Sequence, residues 1–136
     1  MSTSSFNEID HTADVSLHIK AGDFTELLSA AAYGMFKLMG MHAGTGGEGK
    51  LKVEVHGIDR EDLLVGWLEE LLFLIGTHEI GFGKIEIEAI SNTSLIAYVE
   101  EIPGMVPTKE IKAVTYHGLE IRDSGGGVEV TIVFDV

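Results

Sequence analysis

The stretch from Ala13 to Gly40, ADVSLHIKAGDFTELLSAAAYGMFKLMG, changes its period part-way along, and that change decides the fold. Up to Lys20 the alternation is strict. Ala13, Val15, Leu17 and Ile19 share one face and Asp14, Ser16, His18 and Lys20 the other, as in a strand with one buried side. After Gly22 the apolar residues Phe24, Leu27, Leu28, Ala31, Met35, Leu38 and Met39 recur at helical spacing. Asp23 is placed to cap that helix, with Glu26 three residues on, and Gly40 to stop it. A strand therefore passes directly into an amphipathic helix.

Outward from this stretch the same two periods account for the rest. In IDREDLLVGWLEELLFLIG (58–76), Asp59 is the cap and Leu63, Leu64, Trp67, Leu68, Leu71, Leu72 and Ile75 form a wide apolar stripe, ended by Gly76. A stripe that broad is buried against a large surface, and a sheet is the natural one. KLKVEVHG (50–57) alternates as a strand. KIEIEAI (84–90) and TSLIAYVEE (93–101) flank SNTS as a hairpin, and IKAVTYHGLEI (111–121) and VEVTIVFDV (128–136) flank RDSGGG as another. The glycine-rich AGTGGEG (43–49) lacks the Lys-Ser/Thr ending of a phosphate-binding loop and does not lead from a strand into a helix. With no repeats and no dividing linker, residues 1–136 read as one domain. The expected fold is α+β, a two-layer sandwich of a mostly antiparallel sheet with two helices packed on one face.

Composition narrows the function. The 136 residues are 45% hydrophobic and 23% charged, as in a globular chain. There is no cysteine, which removes disulfides, thiol catalysis and thiolate metal sites. MSTSSFNEID has neither a basic nor an apolar leader region, and LLVGWLEELLFLI carries two glutamates and is too short to span a bilayer. A cytoplasmic protein with no membrane association is expected. Nine Lys and Arg against 22 Asp and Glu give a net charge of −13. Direct binding to nucleic acid needs the opposite sign, whereas cations and basic proteins suit this field.

The alternation also selects candidate site residues. In the last strand Val128, Val130, Ile132, Phe134 and Val136 face one way and Glu129, Thr131, Val133 and Asp135 the other. Asp14 and Asp135 are thus both expected on the polar face at strand ends, with the α-carboxylate of Val136 close to Asp135. Such oxygen donors suit a hard cation, Ca²⁺, Mg²⁺ or Mn²⁺, provided that the first and last strands lie together. Exposed acids on an acidic surface would read the same way. The six histidines show no HExxH or comparable spacing. His18 and His56 fall on polar strand faces, His42 and His78 after helices, while His11 and His117 stay open. Lys112, with Lys109, precedes AVTYH in a chain poor in cations, where it could hold an anion or guard a strand edge. No serine stands in a nucleophile elbow and no carboxylates lie at spacings that dictate acid–base roles.

Taken together, IDHTADVSLHIKAGDFTELLSAAAYGMFKLM, DLLVGWLEELLFL, IKAVTYHGLEI and the terminal VTIVFDV resemble the archease family, in order and over nearly the whole chain. The resemblance implies an accessory protein of the GTP- and manganese-dependent tRNA-splicing RNA ligase, active in tRNA processing. It promotes ligase guanylylation and multiple turnover without ligating RNA itself, and meets RNA only through the ligase. It also implies a divalent-metal site (calcium among the candidates) of Asp14, Asp135 and Val136, a role in activation for Lys112, and a two-layer sandwich fold. His11 and His117, which neighbour these groups, are the further candidates for partner contact. Gly66 departs from the pattern, at a cost of roughly 1 kcal/mol in helix propensity against alanine. Two other readings remain: a small metal-dependent phosphoester hydrolase using the same carboxylates, and a metal-independent chaperone-like binding module.

Overall fold

The computed structural model describes residues 14–42, 44, 47 and 49–136. The order of elements is β1 (Asp14–Ala21), α1 (Phe24–Leu38), β2 (Gly49–His56), α2 (Arg60–His78), β3 (Ile80–Ile90), β4 (Ser94–Pro103), β5 (Ala113–Val114), β6 (Arg122–Ser124) and β7 (Gly127–Asp135). The class is α+β, as the change of period implies. The strands are shared between two antiparallel sheets: β1-β7-β5 with β6 paired to β7, and β2-β4-β3. Among the described residues no strand of one sheet pairs with a strand of the other, and the helices join them: α1 lies on β1 and reaches β3 and β7, and α2 lies on β2 and reaches β3, β4 and β5.

Local chemistry sets the element ends. The Asp23 carboxylate accepts the Glu26 N–H at 2.8 Å, and Glu26 reaches back to the N–H of Gly22. Helix α1 closes as a Schellman motif. Gly40, at φ +76°, and Met41 donate to the carbonyls of Lys37 and Phe36. Asp59 caps α2 through the Asp62 N–H at 2.8 Å. Several boundaries differ from the sequence reading, among them the start of β3 at Ile80, ahead of the expected Lys84. Helix α2 runs through Gly76 to His78, and Glu79, left-handed at φ 52°, ends it. The expected strand over 111–121 shrinks to Ala113–Val114. Gly118 is left-handed, Thr115 Oγ1 accepts the His117 N–H, and the Leu119 N–H closes a turn onto Tyr116. The hairpin partner of β7 is the short β6, joined through Gly125 and Gly126, both at positive φ as a tight two-residue hairpin turn requires.

The apolar stripes meet in one core. Leu27, Leu28, Ala31 and Met35 of α1 and Leu63, Leu64, Trp67, Leu68 and Leu71 of α2 are all fully buried. Ile132 and Phe134 close the core from β7, and Leu95, Ala97 and Val99 from β4. Trp67 donates its indole N–H to the Leu28 carbonyl at 2.9 Å, tying the helices together. Gly66 has a packing reason: a Cβ there would lie 2.9 Å from Val55 Cγ1, so glycine lets α2 approach β2.

Candidate functional site

The first and last strands are neighbours, antiparallel and in continuous register from Asp14↔Asp135 to Ala21↔Val128. One face of this ladder carries Ser16, His18 and Lys20 opposite Val133, Thr131 and Glu129, and the facing Leu17 and Ile132 point into the core. At its end Asp14 and Asp135 stand directly opposite each other, which places their Cβ atoms about 4.5–5.5 Å apart. Asp14 is exposed and Asp135 partly buried. On the other side of β7, Ala113 pairs with Asp135, and the Lys112 N–H donates to the Asp135 carbonyl at 2.8 Å. Residues 121 positions apart in the chain thus form one edge of the molecule, with Lys112 beside them.

Val136 follows Asp135 and is partly buried. With Val15, Leu38, Lys109, Glu110 and Ile111 it lines a mainly apolar cavity of about 490 Å³. His117 is held elsewhere. Its neighbour Gly118 borders a second cavity, of about 230 Å³, with His18, Glu120, Arg122, Glu129 and Thr131, which lies along the strands from the aspartate pair. His11, like Asp10 and Thr12, lies outside the described residues. Among the described residues no three His, Cys, Asp or Glu side chains come together as a metal-binding group. The oxygen donors that this ladder end offers, the Asp14 and Asp135 carboxylates and main-chain oxygen, are of the type that a hard cation takes and not those of a zinc-type nitrogen or sulfur site.

The sequence reading missed how the segment after Lys112 is held. Carboxylates of α2 do this: Glu69 Oε1 accepts the Val114 N–H at 2.8 Å, Asp62 Oδ1 the Tyr116 hydroxyl at 2.6 Å, and Glu61 Oε2 the Ile121 N–H at 2.9 Å. The Tyr116 hydroxyl is pushed up to about 12, chiefly because its proton is held by the Asp62 carboxylate. Asp62 is correspondingly lowered, by Tyr116 first and the Ile58 N–H second. In the sequence these acids read only as the polar side of an amphipathic helix, and nothing in their spacing links them to residues 45 to 60 positions later.

The class that this arrangement defines is a small α+β protein whose first and last strands share an acidic edge. The family model described as Archease protein family (MTH1598/TM1083) matches residues 6–136. Archease of Methanosarcina mazei is 32% identical over 139 residues, covering 96% of this chain and 95% of that protein. Archease of Methanothermobacter thermautotrophicus is 30% identical, covering 96% and 98%. The chain belongs to the archease family. Two solved structures share its fold. A Thermotoga maritima protein described as an archease and possible chaperone superposes with a TM-score of 0.71, at 21% identity over 99% of this chain and 100% of that one. Protein 1598 of Methanobacterium thermoautotrophicum gives 0.70 at 29% identity over 94% and 96%.

Proposed function

We propose that this protein is an accessory factor, not a stand-alone enzyme, that activates the tRNA-splicing RNA ligase by promoting its guanylylation and turnover. In this reading a divalent cation, Ca²⁺, Mg²⁺ or Mn²⁺, is held by Asp14, Asp135 and main-chain oxygen of Val136, with Lys112 contacting the ligase or its nucleotide. The observation that carries it is the in-register pairing of Asp14 with Asp135. Like charges directly opposite on a sheet disfavour each other, so an arrangement that sets two carboxylates there suits a bound cation. The cation would supply positive charge at an otherwise acidic edge. The chain's own contribution is to fix the two carboxylates on rigid strands and to hold Lys112 to the Asp135 main chain. Membership of the archease family supports the reading, as does the excess of acidic groups, which favours a cationic protein partner over direct contact with RNA. Among the described residues no helix is long and apolar enough to cross a membrane, and a cytoplasmic site of action is part of the proposal.

The test is ligase guanylylation with purified ligase, GTP and Mn²⁺, with this protein at substoichiometric amounts. Asp14→Ala and Asp135→Ala are expected to abolish activation while the protein stays folded. Undiminished activation by either variant overturns the cation site. Phosphoester turnover by the isolated protein would favour a hydrolase instead.

A further inference from the structure

The strand that carries Lys112 to the candidate site is only two residues long, Ala113–Val114, and it lies at the edge of its sheet. A pairing that short has little stability of its own, and among the described residues no strand lies on its outward side to receive its N–H groups. The Val114 N–H is met by the Glu69 carboxylate of α2 at 2.8 Å. On the inward side the Lys112 and Thr115 N–H groups donate to the carbonyls of Asp135 and Val133, at 2.8 and 2.9 Å. Val114 itself is buried, so its N–H has poor access to water once Glu69 is removed. Glu69 stands on the rigid α2, between the buried Leu68 and the partly buried Glu70.

We infer that Glu69 is a positioning residue for the ligase-activating site: its carboxylate substitutes for the missing edge strand, pins β5 onto β7, and so fixes Lys112 against Asp135. The inference rests on the proposed function for the role of Lys112, and on the geometry alone for the role of Glu69. The Tyr116–Asp62 and Ile121–Glu61 bonds hold the later part of the segment, beyond the residues next to the aspartate pair. Of these three α2 carboxylates, Glu69 is the one that meets the strand itself. Because acceptance of an N–H needs only an oxygen, glutamine at this position retains the function and alanine does not.

The experiment compares Glu69→Ala, Glu69→Gln and Lys112→Ala in the full chain by residue-resolved amide hydrogen exchange and by ligase guanylylation. In Glu69→Ala, exchange at Lys112, Val114 and Thr115 is expected to speed up at least tenfold while the β1 and β7 amides keep their protection. Activation is expected to fall to the level of Lys112→Ala, and Glu69→Gln to restore both. Unchanged exchange at 112–115 in Glu69→Ala overturns the inference. So does full activation by Glu69→Ala when Lys112→Ala is inactive, and so does a Glu69→Gln protein as impaired as Glu69→Ala. If Lys112→Ala activates normally, the proposed role of that lysine fails, and the exchange data alone decide whether Glu69 holds the strand.

Discussion

In the proposed cation site Asp14 and Asp135 would serve function at a cost in stability. Like charges facing each other across the strands disfavour the fold by about 0.2–1 kcal/mol. Asp14→Asn and Asp135→Asn are each expected to raise the melting temperature slightly in chelator. If the proposed cation site is real, added Ca²⁺ or Mn²⁺ raises the melting temperature of the wild-type chain, corresponding to a stabilisation of about 2.7 kcal/mol at a hundredfold excess over Kd, and leaves the variants unmoved. A second residue-scale prediction concerns Tyr116, which is 57% exposed yet titrates at about 12 because Asp62 accepts its proton in a hydrogen bond. Its folded value lies above its unfolded one. The bond therefore supports the fold below pH 10 and is lost as pH rises through about 12. For Asp62 the sign reverses: its folded value is lowered, so its contribution is present above the ordinary carboxylate range and lost as pH falls through the lowered value. Ultraviolet titration should show one tyrosine released from this high value by Asp62→Asn. An unchanged curve would mean that the bond does not persist in solution.

At the scale of elements, two glycines in α2 have opposite meanings. A Cβ at Gly76 meets nothing within 4 Å, and its φ is not in the left-handed region. Gly76→Ala is therefore expected to stabilise the protein by about 0.5–1 kcal/mol through helix propensity alone. At Gly66 the same gain is opposed by overpacking against Val55, which costs about 1–3 kcal/mol, so Gly66→Ala is expected to be neutral to destabilising. Denaturant melts would check this, with Gly76→Ala more stable than the wild-type chain and Gly66→Ala no more stable than it. The departure of Gly66 from the family pattern thus becomes legible only when β2 is in place behind it. The 111–121 segment teaches the same lesson from the other side. Its composition favours a strand, but the left-handed Gly118 and the Asp62 and Glu61 carboxylates of α2 hold it off the sheet after Thr115.

For the whole molecule, one core links two sheets through two helices, and the single tryptophan sits at its centre, fully buried. Trp67 fluorescence and far-ultraviolet circular dichroism are accordingly expected to report one coincident unfolding transition, since neither sheet has a core of its own. Two separated transitions would show that the sheets melt independently. The net charge of −13 adds self-repulsion, so stability should rise as ionic strength goes from 0.01 to 0.15 M and the screening length falls from about 30 to 8 Å.

The sequence by itself determined the two helices, the longer strands and their faces. Hydrophobic period is a local property, and the caps at Asp23, Asp59 and Gly40 act within one turn of the chain. It also singled out Asp14 and Asp135 as polar-face residues at strand ends, because alternation alone assigns a face. Tertiary structure decided which of these residues meet. The pairing of β1 with β7 brings Asp14 opposite Asp135, and the division into two sheets and the hold of Glu69, Asp62 and Glu61 on the segment after Lys112 are settled there too. These contacts join residues far apart in the chain and depend on how the apolar faces pack together, a global optimum that no local pattern encodes.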